Sequence, residues 1–327
     1  MLKLTYILLA SMGLAYKLRS SGIVHVRGHH LHSEAVSALF VGGLLGIPYS
    51  FTCHTVKTYY PRRALRGVVR NADFILANIL QVKEFLNTLG ATQSQVHLVR
   101  NGVSMHQFPM RTTEPKADPP MILAVGRLDY KKGFHVLLSA CAILRDEGVR
   151  FRCVIVGDGD EWNSLHALRR DLSLDGHVEI VGSLGFSEVQ RWYEQATVMV
   201  VPSVVAPDGS TDGLPTVIIE AFARGVPVVG AATAGIPEVI HSGVNGFVVP
   251  SDVPRDLSDC MKQLLSNPEL RREVATHARN TAEREFDLDR NAQTLADLML
   301  GQFEKRHELT GSTVPSATAL QQTSSAR

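Results

Sequence analysis

Excess charge is missing from this sequence: 33 lysines and arginines face 32 aspartates and glutamates, a formal net charge of +1. Such a balance supplies no strong field toward nucleic acid or acidic polymers, so any basic surface is local. The four cysteines, Cys53, Cys141, Cys153 and Cys260, include no C-x-x-C pair. No Cys and His cluster has zinc-ligand spacing either, so buried thiols in a reducing compartment are expected, without disulfides or a structural zinc. Long hydrophobic runs are also lacking. Leu4–Tyr16 is uncharged and follows Lys3, but it is too short to span a bilayer and has no small-residue cleavage site. Ala35–Tyr49 is broken by Gly46-Ile47-Pro48. Both stretches are expected to be helices lying on a buried sheet. No solenoid-type repeat is present.

What is present is alternation. Short apolar, β-branched runs at Ile23–Val26, Tyr49–Thr52, Phe74–Ala77 and His97–Val99 read as strands, with helical patterns at Ser33–Leu45 and Leu80–Leu89 between them. The series restarts with strands at Met121–Val125, Arg152–Val156, Val178–Val181, Val198–Val201, Val226–Val229 and Gly246–Val249. Helical segments near 134–147, 161–173, 187–195, 216–224 and 254–265 separate these strands. Such alternation predicts an α/β protein with parallel, doubly wound sheets and ligands at the carboxyl ends of the strands. The segment 110–120 is rich in proline and polar residues and divides the two series. A first domain over 1–109, a linker over 110–120 and a second domain over 121–285 follow, with the cleft between two Rossmann-like domains as the default binding site. The first domain shows only four strands and opens directly on a helix. From Leu309 onward no apolar period remains, and a disordered tail is expected over 307–327.

Two constellations carry chemistry. In Gly126-Arg127-Leu128-Asp129-Tyr130-Lys131-Lys132-Gly133, a strand end, a loop and a helix start bring Arg127 and Lys132 together. A departing diphosphate needs such cations because negative charge grows on it as its bond breaks, and helix N-termini add to the effect. The plain alternative is a pair of solvated cations. In Asp212-Gly213-Leu214-Pro215-Thr216 through Glu220, two carboxylates stand eight residues apart across a turn that opens an apolar helix. Gly213 frees backbone N–H groups, Pro215 suits a first helical turn, and Glu220 can accept hydrogen bonds from vicinal ribose hydroxyls. The plain alternatives are N-capping by Asp212 and an exposed helix charge at Glu220.

These motifs resemble the retaining glycosyltransferases of the GT-B fold, in the group called glycosyltransferase family 4. The matching elements are Gly126-Arg127 with Lys132-Gly133, Val156-Gly157-Asp158-Gly159, Val201-Pro202-Ser203, Asp212 through Glu220, and Gly235-Ile236-Pro237-Glu238 with Gly243 and Gly246. His54 in Phe51-Thr52-Cys53-His54, and Asn101-Gly102-Val103 with Phe108, fit as well, so the resemblance covers about residues 23–290. Within the family the pattern is similar to exopolysaccharide or colanic-acid-type transferases.

The resemblance implies a nucleotide-sugar co-substrate, a UDP- or GDP-sugar, with no other cofactor and no metal. Arg127 and Lys132 would hold the donor diphosphate beside Gly126. Glu220 would bind ribose, Asp212 with the Gly213, Leu214, Pro215 and Thr216 backbone would hold the transferred sugar, and Gly182, Ser183 and Leu184 would approach the base. His54 would face the reacting sugar, giving His54, Arg127, Lys132 and Asp212 as the catalytic set. A C-terminal helix over 286–306 would cross back to the first domain. Asp158-Gly159-Asp160 matches a metal-binding Asp-x-Asp only formally, since it falls in the family's glycine turn. The acceptor would be a glycan or lipid-linked sugar on the cytoplasmic side.

Three departures stand out. Asp212 replaces the family's glutamate; Ser104 and Asn78 replace the usual aspartate and serine; and about a hundred residues expected ahead of the first helix are missing, a figure resting on usual domain sizes. A separate chain, an upstream start or a degenerate product would account for the last. Lys57–Arg70 adds five cations without an acid. It reads either as a patch for an anionic membrane surface or as a solvated helix face. The competing functional readings are a non-catalytic fragment that binds nucleotide sugar or a partner chain, a nicotinamide-dependent enzyme and a sugar-nucleotide epimerase. The nicotinamide reading is disfavoured by the incomplete glycine fingerprint at Val156–Asp160.

Overall fold

A computed structural model describes residues 2–56, 60–115 and 117–310. The chain divides into two compact units: the first holds residues up to Ala77, Lys83–Val99 and those from Ala292 onward, and the second holds Asn78–Val82 and Arg100–Asn291. The chain thus changes unit at Val99–Arg100, ahead of the proline-rich 110–120 segment. Val103 accounts for the difference. Its N–H donates to the Phe286 carbonyl and its own carbonyl accepts from Leu288, which ties the residues after Arg100 to the second unit.

Up to Val99, α1 (Leu2–Leu18), β1 (Val26–Gly28), α2 (Ser33–Leu45), β2 (Tyr49–Cys53), α3 (Arg62–Arg70), β3 (Phe74–Ala77), α4 (Leu80–Thr88) and β4 (Val96–Leu98) succeed one another, all in the first unit except the start of α4 through Val82, which groups with the second. The four strands form a parallel sheet in the order β1-β2-β3-β4. Pairing begins at Val26, three residues into the run expected as a strand, because Val26 faces Tyr49 and the residue before Tyr49 is Pro48, which has no N–H for the ladder. α2 lies against the face carrying Gly28 and Tyr49. A Cβ on Gly28 would meet the Ala35 backbone at 3.0 Å, and one on Gly42 would meet the Tyr49 side chain at 3.3 Å. The opposite face carries Arg27, Ser50, Thr52, Phe74 and His97.

The α1 expectation needs correction. Its buried residues are Ile7, Ser11 and Ala15, a single i, i+4, i+8 line, and it packs on α2 instead of on a sheet. Tyr6, Leu9, Met12 and Tyr16 remain exposed. In α3, Leu65, Val68 and Val69 face inward and Arg62, Arg63 and Arg66 face solvent. Lys57 to Tyr59 of the expected basic patch lie outside the described residues. Among the described residues, no helix is long and apolar enough to cross a membrane.

The second unit runs β5 (Met121–Val125), α5 (Phe134–Asp146), β6 (Arg152–Val156), α6 (Trp162–Asp171), β7 (Val178–Ile180), α7 (Phe186–Gln195), β8 (Val198–Val201), α8 (Thr216–Arg224), β9 (Val228–Ala231), α9 (Ile236–Val239), β10 (Phe247–Val249), α10 (Pro254–Ser266) and α11 (Pro268–Glu285). Its six strands are parallel in the order β10-β9-β8-β5-β6-β7. This is the doubly wound arrangement, and its strand order reverses between β5 and β8. Ile122, Cys153, Ile155, Val198 and Val200 of the strands pack with Leu137, Cys141 and Leu144 of α5 in a continuous buried core. β9 starts at Val228 and not Val226, since Pro227 offers only its carbonyl, taken by the Met199 N–H at 2.8 Å.

α11 lies outside the set of expected helices. Its start was nonetheless written in the chain: the Asn267 side chain accepts from the Leu270 N–H and Pro268 occupies the first turn. The last helix, α12 (Leu288–Thr310), continues past the boundary expected for the tail, and its residues from Ala292 group with the first unit. Residues 311–327 lie outside the described residues.

Candidate active site

In a doubly wound sheet the ligand crevice opens beyond the carboxyl ends of the strands where the order reverses, here β5 and β8. The chain makes that edge tightly knit. Gly126 N–H donates to the Val156 carbonyl, Leu128 N–H to Asp158 and Gly157 N–H to Gly182, so the loops after β5, β6 and β7 are laced together by backbone. Glycine is obligatory at two of these positions. Gly157 has φ 153° and a Cβ there would fall 1.8 Å from the Gly126 carbonyl oxygen. Gly133 has φ 68° and a Cβ there would fall 1.9 Å from the Pro202 oxygen. Absence of side chains at both lets the β5 loop press against its neighbours.

On this frame Lys131, Lys132 and Asp212 converge. Tyr130–Lys132 forms a single 3-10 turn, and Lys132 Nζ donates to Asp212 Oδ2 at 2.5 Å, while Lys131 Nζ stands 3.7 Å from Asp212 Oδ1. Only 18% of the Lys132 and 11% of the Asp212 side chain remain accessible. Asp212 does not cap α8, because Pro215 holds that position; the capping alternative falls. Lys131 is a participant that sequence reasoning did not single out.

Arg127 behaves differently. Its side chain is exposed, and its guanidinium is held by Asp129, with Nε donating to Oδ2 at 2.9 Å. Asp129 raises the Arg127 pKa through that hydrogen bond and its charge. Asp129 is a second missed residue, legible in hindsight as the acid two positions after the arginine.

Glu220, on α8, is partly buried, so the reading as a plain exposed charge also falls. Its Oε2 accepts from the fully buried Tyr193 hydroxyl at 2.8 Å. Burial raises the Glu220 pKa, while the bonds from Tyr193 and Thr216 pull it down. Tyr193, on α7, had no signal in the sequence beyond an apolar helix face. Gly213 has φ 67°, and its carbonyl accepts from Gly235 N–H at 3.0 Å, which fixes the turn ahead of α8.

A cavity of about 210 Å³ lies at the ends of β5, β6 and β7. It brings Gly126 and Arg127 together with Ser183 and Leu184, while Lys132, Asp212 and Glu220 do not line it. Gly182, with φ 79°, approaches the Trp162 indole. Among the described residues no group of three or more His, Cys, Asp or Glu is arranged to hold a metal ion.

Glu238, part of the Gly235-Ile236-Pro237-Glu238 match, has a structural task. Its carboxylate accepts from the Leu80 and Gln81 N–H groups at 2.7 and 3.2 Å and pairs with Arg100 at 3.4 Å. His54 belongs to the first unit, directly after β2. Its ring neighbours His29 and His30 at 4.9 and 5.1 Å between centroids. Burial, then the positive influence of His29, His30 and Arg27, lowers its pKa to about 4, so it is neutral at pH 7.

Known proteins resemble the chain in family and in fold. Residues 108–281 match the family described as glycosyl transferases group 1, and residues 3–107 match glycosyltransferase family 4. The chain belongs to the group 1 glycosyltransferases. This glycosyltransferase is 34% identical over 216 residues to WcaL of Escherichia coli strain K12, which carries the name of a colanic acid biosynthesis glycosyltransferase. It is 31% identical over 214 residues to the amylovoran biosynthesis glycosyltransferase AmsK of Erwinia amylovora. Each match covers 65% of this chain and 53% of the relative, so the chain spans about half the length of these relatives. Among solved structures, HepE of Anabaena in complex with UDP superposes with a TM-score of 0.79 at 19% identity, covering 89% of this chain and 82% of that one. Sucrose-phosphate synthase of Thermosynechococcus elongatus gives 0.77 at 20% identity, covering 90% and 77%. At such identity the likeness establishes the fold: two parallel-sheet α/β domains of the kind found in GT-B glycosyltransferases.

Proposed function

We propose that this group 1 glycosyltransferase moves a sugar from a UDP- or GDP-sugar to a glycan or lipid-linked acceptor with retention of anomeric configuration, in surface polysaccharide biosynthesis. The observation that carries the reading is the meeting of Lys131, Lys132 and Asp212 beyond β5 and β8, with Arg127 following β5 and Glu220 on the next helix. HepE has been crystallised with UDP and with UDP-glucose, and the names of WcaL and AmsK place those relatives in exopolysaccharide synthesis.

In this reading Lys132 exchanges part of its contact with Asp212 for the donor diphosphate and stabilises the charge that grows on it as the glycosidic bond breaks. Asp212, released in part, accepts from sugar hydroxyls. Glu220, with one oxygen anchored by Tyr193, presents its carboxylate to the ribose. Arg127 swings from Asp129 to the phosphates. These cations perform the charge neutralisation that a divalent metal performs in other transferases, and the acceptor hydroxyl attacks on the face the diphosphate leaves, with the leaving phosphate taking its proton. Positioning supplies the rest.

The reading also places the chain at an anionic membrane surface on its cytoplasmic side, supported by the three exposed arginines of α3. Replacing Arg62, Arg63 and Arg66 by glutamine is expected to weaken sedimentation with anionic vesicles at low salt; unchanged sedimentation removes the membrane from the proposal.

The deciding experiment is calorimetric titration with UDP, GDP and their common sugar conjugates in the absence of metal. Micromolar binding of one nucleotide, abolished in Lys132→Ala and Glu220→Ala, assigns the donor. A folded chain that binds none of them refutes donor binding. Binding without transfer to any acceptor would instead make the chain a nucleotide-sugar-binding fragment that depends on a partner chain.

A further inference from the structure

The first unit carries a cluster around His54 whose other members, Arg27, His29 and His30, have no part in the donor site. His29 and His30 follow β1 and His54 follows β2, and their three ring centroids form a near-equilateral triangle with sides of 5.1, 4.9 and 5.1 Å. Arg27, on β1, lies beside them; its guanidinium reaches across β2 to Ser50 Oγ at 3.4 Å and Thr52 Oγ1 at 2.5 Å. No carboxylate pairs with Arg27 among the described residues, and the charges that act on His54 are all positive ones, those of His29, His30 and Arg27. The buried Nε2 of His54 has no hydrogen-bond partner among the described residues. Beside the cluster α2 begins at Ser33 without a side-chain cap, so its partial positive charge is added. The acid nearest in sequence, Glu34, is exposed and takes a bond from Ser33 Oγ at 3.3 Å.

A half-buried guanidinium with no carboxylate partner, beside three imidazoles of which one keeps a buried nitrogen unpartnered, forms a site lacking its ligand's charge and acceptors. A divalent metal is the wrong complement. Arg27 repels it, and no His, Cys, Asp or Glu group here has metal-holding geometry among the described residues. An oxyanion is the right one. Imidazole N–H groups and a guanidinium are the donors that bind phosphate oxygens through charge-assisted bonds, and the cluster lies at the carboxyl ends of parallel strands, where ligands collect.

We propose that Arg27, His29, His30 and His54 form an anion subsite on the first unit that holds the diphosphate of a diphosphate-bearing acceptor. The proposal rests on the glycosyltransfer reading, since it names the chemistry of that reaction's acceptor. It commits to the diphosphate group; a free diphosphate and a lipid-linked one share it.

The test uses the full chain with its histidines labelled at Cε1, resonances assigned through His29→Asn, His30→Asn and His54→Asn. With UDP present at saturation, so that the second unit's site is filled, inorganic diphosphate and farnesyl diphosphate are titrated in separately. The expected result is movement of the His29, His30 and His54 resonances together, with one dissociation constant, and a rise of the His54 midpoint from about 4. Arg27→Gln should weaken that constant about tenfold, the loss of one charge-assisted contact, while the UDP affinity stays unchanged. Should Arg27→Gln fail to fold, His29→Asn, at an exposed position, gives the same reading. Tighter binding of farnesyl diphosphate than of the inorganic ion identifies a lipid-linked acceptor; equal binding identifies a free one. Unmoved histidines up to about 10 mM diphosphate, the weak end of specific binding, overturn the proposal. So does movement caused by UDP alone, which returns the cluster to the donor site. Because UDP binding is measured in the same sample, failure of this subsite is distinguishable from failure of the donor reading.

Discussion

At Glu220 the demands of binding and of folding oppose each other. Burial raises its pKa above the ordinary carboxylate value despite the Tyr193 and Thr216 bonds, so between the two values the folded chain holds a proton that the unfolded chain has lost. Stability contributed by this group therefore falls as pH rises through that window, and the ionised carboxylate is a cost at pH 7. Glu220→Gln keeps an oxygen for the Tyr193 hydroxyl and removes that cost. It is expected to melt at the same temperature or slightly higher at pH 7, yet to bind nucleotide about tenfold or more weakly, since a charged acceptor for ribose is gone. A calorimetric melt and a titration on the same sample check both halves. His54 gives the opposite sign. Its pKa is depressed from 6.5 to about 4, so acidification loads a proton onto the unfolded chain first. The contribution is complete above pH 6.5 and is lost as pH falls through 4. Discounted for a partly solvated ring, the effect is roughly 1–2 kcal/mol. His54→Asn should flatten the denaturation midpoint across this range, read by urea melts at successive pH values.

The elements explain what the sequence could and could not disclose. β5, β6, β8 and the start of α8 appear where β-branched runs and turn residues put them, because each is a local pattern enclosed by its own glycine or proline. Lys132 and Asp212 were legible as site residues for the same reason: each sits in a motif whose chemistry is local. Their direct pairing was not legible, since it joins residues 80 positions apart through the adjacency of β5 and β8. Tyr193 was invisible because a buried hydroxyl on an apolar helix face looks like any core aromatic. α1 misled because an apolar run fixes helicity and says nothing about which partner covers it. Glycine geometry was half visible: Gly133 marked a turn, while its contact with the β8 end required the fold. That contact makes a prediction about the element. Gly133→Ala combines φ 68° with a Cβ 1.9 Å from the Pro202 oxygen, so the β5 loop must move away from β8. A loss of roughly 2–4 kcal/mol is expected, with nucleotide binding lost beyond detection because Lys131 and Lys132 ride on the same turn. Gly148→Ala is the control. It has φ 70° but no atom within 4 Å of the added Cβ, so only the backbone cost of about 1–2 kcal/mol applies. Equal effects in denaturant melts of the two variants would refute the packing argument.

For the whole molecule, the division into two units determines how a ligand is felt. Every residue assigned to the donor, from Gly126 to Glu220, belongs to the second unit, whose strands share a buried core with α5, α6 and α10. The first unit has its own four-stranded sheet and includes α12 from Ala292. A nucleotide that binds only the folded second unit stabilises that unit by mass action, about 2.7 kcal/mol at a hundredfold excess over its dissociation constant. For a unit of this size that is a rise of roughly 5–10 °C in its own transition. Scanning calorimetry with and without the tightest nucleotide is therefore expected to move the second unit's transition and leave the first unit's in place. Lys132→Ala should abolish the shift without altering the transition of the first unit. If a single transition moves as one, the two units unfold together, and the connections at Ala77–Asn78, Val82–Lys83, Val99–Arg100 and Asn291–Ala292 carry folding cooperativity as well as chain continuity. If neither transition moves, the Lys132–Asp212 pair and the Glu220–Tyr193 bond serve stability alone, and the donor assignment must be abandoned.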